Sequence, residues 1–178
     1  EERLYREALE LFEKEKYASA QHLFEEYLSA VGSKNTMQKG NAEFYKAMCG
    51  VHLENRDAER EVRSFVMHYP ENQKVNYANF ALGNLYYKQK KYADAVYWYG
   101  RVETNALGFN DKCECFFKRG LSYYYINKKD LAAQSFAAIK DVDNKYSSPA
   151  TYYYSQIAYE EKNYATALKG FTVLLNDE

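Results

Sequence analysis

The sequence predicts an all-α chain of about five helix-turn-helix hairpins in a row, and three observations carry that prediction. A short frame recurs at a nearly constant interval, the apolar residues flanking each polar break keep three-and-four spacing, and no segment alternates convincingly as a strand. The frame is a small residue, an Ala twelve positions later and an aromatic four later again. It reads Ala8, Ala20, Phe24; Gly83, Ala95, Tyr99; Gly120, Ala132, Phe136; and Ser155, Ala167, Phe171. A looser copy, with the first interval one residue short, lies in Ala47, Ala58, Val62, Phe65 and Pro70. The inner alanines at 20, 58, 95, 132 and 167 are then 38, 37, 37 and 35 residues apart, so each unit is one hairpin plus a connector.

Taken in order, a first helix near 2 to 14 rests on Leu4, Ala8, Leu11 and Phe12, and its partner near 17 to 31 on Tyr17, Ala20, Leu23, Phe24, Tyr27 and Leu28. Gly32-Ser33 punctuates the pair. The second pair, near 37 to 53 and 56 to 68, stops at Tyr69-Pro70, because the residue before a proline is pushed out of helical geometry. The third, near 73 to 89 and 92 to 104, turns at Lys88-Gln89-Lys90-Lys91 and leads into a connector with Gly108. The fourth runs near 111 to 126 and 129 to 140. The fifth follows Ser147-Ser148-Pro149, near 148 to 161 and 164 to 176, and turns at Glu160-Glu161-Lys162-Asn163. Polar breaks of three to five residues fit antiparallel neighbours. Where two helices approach within about 8 to 10 Å only small side chains fit, which explains the Ala and Gly of the frame. The whole chain reads as one repeat domain, with units at about 1–34, 35–71, 72–108, 109–146 and 147–178.

Composition removes several function classes. Lys+Arg 24 against Asp+Glu 25 leaves no basic excess for phosphates, so no nucleic-acid partner is expected. No apolar run reaches the roughly 18 residues of a membrane span. Cys49, Cys113 and Cys115 read as plain packed thiols, since three cysteines are not a disulfide framework and no second Cys pair completes a zinc site. His22, His52 and His68 fall on different helices or faces and form no metal pair. Asp141-Val142-Asp143-Asn144 begins like a calcium loop but lacks the glycine at the sixth position and has Tyr152 at the twelfth, so it reads as a capping connector. There is no Gly-rich phosphate loop and no nucleophile elbow. The expectation is a chain without catalytic residues, metal or cofactor.

The frame resembles the tetratricopeptide repeat family, most clearly in Leu82-Gly83, Tyr86, Tyr92, Ala95 and Tyr99. The resemblance covers essentially the whole chain, with units longer than the family's usual length and Lys129 where an aromatic is usual. It implies a right-handed α-solenoid. The run Phe65, Tyr69-Pro70, Ala78, Leu82-Gly83, Tyr86-Tyr87, Tyr92, Ala95 is similar to the bacterial-envelope subgroup that includes the lipoprotein of the outer-membrane barrel assembly machine. That likeness implies the periplasm or outer membrane of a Gram-negative bacterium; the alternative is the cytoplasm. A first residue other than Met leads us to expect a longer protein.

The resemblance also implies a concave groove for a peptide or partner protein, at set distances from the small residue of each unit. Carried over, these positions are Tyr5 and Phe12; Phe44, Tyr45 and Met48; Tyr77, Phe80, Asn84 and Tyr87; Phe117, Tyr124 and Tyr125; and Tyr152, Tyr153, Gln156 and Tyr159. Nine of the chain's 20 tyrosines fall there, and a cluster of at least three exposed rings is expected. The residues Tyr5, Leu9, Phe80 and Asn84 stand where the family's chaperone-tail clamp has Lys and Asn, then Lys and Arg, so the fixed cations are missing, which argues against that ligand. The function expected is a noncatalytic protein-interaction scaffold. A second reading, of another class, is a glycan or peptidoglycan module that stacks sugars on the same rings. Leu168, Phe171, Leu174 and Leu175 lie on a repeat-stacking face, so further repeats or self-association through that edge are expected.

Overall fold

The structure is a computed structural model and describes residues 1–177. Its α-helices are α1 (Glu2–Glu13), α2 (Tyr17–Val31), α3 (Met37–His52), α4 (Ala58–His68), α5 (Val75–Lys88), α6 (Tyr92–Tyr99), α7 (Phe109–Tyr125), α8 (Lys129–Ala137), α9 (Ser147–Glu160) and α10 (Tyr164–Asn176). A 3-10 turn at Thr104–Ala106 joins α6 to α7, and no strand occurs among the described residues. Two compact units are present, Glu1–Leu82 and Gly83–Glu178, with the boundary inside α5. In the first, α1 packs on α2, α2 on α3 and α3 on α4; in the second, α6 packs on α7, α7 on α8, α8 on α9 and α9 on α10.

Five turns close the hairpins with one geometry. Glu15, Glu54, Lys90, Asn127 and Lys162 all have φ between 56° and 65°. In each turn the N–H of this residue donates to the carbonyl three back, and the next N–H donates to the carbonyl five back, as in Lys90 to Tyr87 and Lys91 to Tyr86, both at 2.9 Å. This is the Schellman arrangement, which satisfies the last free carbonyls of the first helix and reverses the chain. Glycine is the usual residue there, and none of the five is glycine.

The frame residues make the close approach within each hairpin. A Cβ on Gly83 would stand 2.5 Å from the Tyr99 ring, and one on Gly120 would stand 2.7 Å from the Phe136 ring. Only glycine admits the aromatic at those two points. Ala8, Ala20 and Phe24 are sealed in the first unit beside Tyr27, Ala42 and Cys49; Ala132 and Phe136 join Cys113, Leu121, Ala150 and Ile157 in the second. In the fifth hairpin the contact inverts, Gly170 of α10 lying against Ser155 of α9. The hydroxyls of Ser122 and Ser155, buried in helix interiors, donate to the carbonyls of Lys118 and Thr151, each at 2.7 Å.

Two second helices end earlier than their apolar spacing predicts. α6 stops at Tyr99 rather than near 104, because Arg101 and Val102 donate to the carbonyls of Trp98 and Tyr99, three residues back. Val102 and Leu107 then sink into the core as anchors of the connector. α8 stops at Ala137 rather than near 140, and the buried Ile139 gives its carbonyl to the Asn144 side chain. An apolar residue in a connector keeps the helical rhythm without continuing the helix.

Candidate functional site

The positions carried over as groove residues divide into three sets. In the first set, three before or four after the small residue, Phe12, Phe44, Phe80, Tyr87, Phe117 and Tyr124 are buried or half-buried. In the first unit Phe12 lies 5.0 Å from Tyr45 of α3, and Phe44 is buried. In the second unit Phe117 stacks on Tyr146 at 4.9 Å, and the Tyr124 hydroxyl donates to Glu160 Oε1 at 2.9 Å. Phe80 is buried at 6% exposure, so it supplies no surface. Tyr87 is half-buried, with the Lys118 ammonium 5.4 Å from its ring centre.

Two before and five after the small residue, the side chain instead reaches back onto the preceding hairpin. Tyr45 stacks on Phe24 at 5.7 Å and 10°, and Tyr153 stacks on Phe136 at 5.6 Å and 18°. Five after, His52 stacks on Tyr17 at 4.0 Å, Tyr125 meets Tyr92 at 4.7 Å, and Glu160 Oε2 meets Lys129 Nζ at 2.7 Å. Tyr17, Tyr92 and Lys129 are the equivalent residues just after each turn. Asn84, one position after Gly83, accepts a 2.6 Å hydrogen bond from the hydroxyl of the buried Tyr99. Tyr5, half-buried, packs on Phe24 and Tyr27. These are inter-helix contacts, so much of the carried-over groove is consumed by packing. Met48 is half-buried.

The third set is open. Tyr77 of α5 is exposed, as are Tyr125, Tyr152 and Tyr159 in the second unit. Around the latter three, Tyr124 meets Tyr125 and Tyr153 at 6.0 and 5.6 Å, and Tyr152 stands at 84° to Tyr153. Gln156 Nε2 donates to Glu160 Oε1 at 3.3 Å. Burial and the bond to the Glu160 carboxylate push the Tyr124 hydroxyl up to about 12, so it stays a donor at neutral pH. The Lys129 ammonium, together with Tyr124 and Gln156, holds the Glu160 carboxyl below its ordinary value.

Tyr164 and Leu168 also belong to this exposed surface, at 58% and 70%. Read as a frame residue, Tyr164 is expected to be packed like Tyr92. It is instead exposed, its ring meeting that of Tyr159 at 5.7 Å.

The remaining chemistry-bearing residues are separated. Cys49, Cys113 and Cys115 are buried free thiols, and burial pushes Cys49 up to about 12 and Cys115 up to about 11. His22 pairs with Glu26, His52 stacks on Tyr17 and His68 bonds to Ser64. No group of three or more potential metal ligands exists among the described residues. In the 141–144 connector Asn144 bonds to the carbonyls of Ile139 and Val142 and accepts from Tyr146 N, which organises the entry to α9. No described helix is long and apolar enough to cross a membrane. No protein-family model matches the chain, and no curated protein matches it.

Proposed function

We propose that the chain is a noncatalytic protein-interaction scaffold of the tetratricopeptide type, a right-handed solenoid of hairpins that binds a peptide or partner protein through its exposed tyrosines. The observation that carries the reading is the grouping of Tyr125, Tyr152 and Tyr159, all exposed, beside Tyr124, Tyr153 and Gln156 on two neighbouring helices whose cores close without them. Tyrosine on a rigid helix gives a large amphipathic contact at little entropic cost. Panning a random-peptide library against the chain tests it: binders are expected, and a Tyr125→Ala, Tyr152→Ala, Tyr159→Ala variant loses them at least tenfold. A library without binders, or binders indifferent to the variant, overturns the reading.

The glycan reading is less well supported. Neighbouring rings stand edge to face, at 74° for Tyr124 with Tyr125 and 84° for Tyr152 with Tyr153, rather than as a coplanar platform for sugars. The envelope setting rests on the run from Phe65 to Ala95 alone. A secretory or lipoprotein signal in the coding sequence ahead of residue 1 supports it; continuation into a polar cytoplasmic segment removes it.

A further inference from the structure

Two phenol rings meet where α6 packs on α7 inside the second compact unit: Tyr92 opens α6 and Tyr125 closes α7. Their ring centres are 4.7 Å apart and their planes are tilted by 32°. That separation leaves ring carbons of the two within van der Waals reach. At the equivalent point of the contact between α2 and α3, Tyr17 faces an imidazole, and between α8 and α9, Lys129 faces a carboxylate. Neither of those pairs holds two phenols. Tyr125 is 51% exposed and Tyr92 is half-buried, so one ring of the pair is open to a reagent in solvent.

We propose that Tyr92 and Tyr125 form a site of oxidative modification, at which a one-electron oxidant of the haem-peroxidase class, charged with hydrogen peroxide, joins the two rings as dityrosine. The oxidant takes an electron from the exposed Tyr125, and its phenolic proton leaves to water. Tyr92 refills that radical with an electron across the ring contact, the accompanying proton passing through water, and Tyr125 is then oxidised a second time. Two phenoxyl radicals now face each other. A C–C bond forms between the ring carbons adjacent to the two oxygen-bearing carbons, and the hydrogen on each joined carbon moves by way of water to its phenoxyl oxygen. Two electrons and two protons leave in all, and they reduce one hydrogen peroxide to two waters.

The tilt selects this pair. The unpaired electron of a phenoxyl lies in orbitals perpendicular to the ring, so the bond forms between rings that overlap by their faces rather than edge to face. Tyr159 with Tyr164 and Tyr124 with Tyr125 stand at 65° and 74°, at 5.7 and 6.0 Å. Tyr5 and Tyr27 stand at 49° and 5.3 Å, but neither is an exposed ring. The new bond closes the chain between residues 92 and 125 and ties the turn before α6 to the end of α7, which restricts the unfolded chain as a disulfide does.

The test oxidises the whole chain at low concentration with a haem peroxidase and one equivalent of hydrogen peroxide. A monomeric product with dityrosine fluorescence is expected, from which trypsin releases residues 92–101 joined to residues 120–128 at a mass two hydrogens below their sum. Tyr92→Phe and Tyr125→Phe keep the rings and are each expected to cut the yield of this species at least tenfold, whereas Tyr159→Phe leaves it, with the circular dichroism of all three unchanged. The joined chain is expected to unfold at higher urea than the unjoined one. Absence of the joined fragments once the peroxide is consumed, their persistence in either of the first two variants, or dityrosine found only between chains overturns the proposal. So does an equal yield from the chain oxidised in urea, since the bond then owes nothing to the folded contact.

Discussion

Among single residues, the five at the turns sit in the left-handed region at a conformational cost. A non-glycine residue in the left-handed region is disfavoured by about 1 to 2 kcal/mol, and Lys90 sits there with φ 60° and an exposed side chain. Lys90→Gly is expected to raise stability by about 1 kcal/mol in urea unfolding. Asn127→Gly is expected to gain less, since asparagine tolerates this region. The turn residues were hard to find in the sequence for the same reason: without glycine, Glu15, Glu54, Lys90 and Lys162 look like any polar break. The length of the break was legible; the geometry inside it depends on backbone bonds that any residue can make.

Among helices, the junctions use different interactions for one task. At the contact of α8 with α9, Tyr153 packs flat on Phe136 while Glu160 pairs with Lys129 at the surface. Surface ion pairs contribute about 0 to 1 kcal/mol, whereas removal of a packed ring costs several. Tyr153→Ala is therefore expected to lower stability by about 2 to 4 kcal/mol and Glu160→Gln by less than about 1 kcal/mol, as read from urea midpoints. Helix existence and most helix ends followed from apolar spacing and the repeated frame. The ends of α6 and α8 did not, because Val102 and Ile139 keep the rhythm from within connectors. Nor did the roles of Phe12, Phe44, Phe80 and Phe117: the resemblance places them on a groove, and the structure spends them on covered faces, which only inter-helix contacts can tell apart.

For the molecule as a whole, each compact unit holds a thiol that must stay neutral, Cys49 in one and Cys115 in the other. Burial raises both, to about 12 and about 11, from an ordinary value of 9.0. The folded state thus keeps protons that the unfolded chain releases. Their contribution is fully present below pH 9.0 and is lost as pH rises through the folded values. The urea midpoint is expected to fall between about pH 8 and pH 11, and a Cys49→Val, Cys115→Val variant to fall less steeply. Tyr124, raised in the same sense, adds to the decline. The continuity of the frame through Leu82-Gly83 predicts one domain, and no break in the sequence marks the boundary of the two units because it falls inside a helix.

The turn-following residues Tyr17, Tyr92 and Lys129 take His52, Tyr125 and Glu160 respectively. These partnerships work as an address written in side-chain chemistry. Neighbouring hairpins thus meet through different chemistry at one equivalent point, and a designer who lengthens this array has a pairing to choose there as well as a frame to copy.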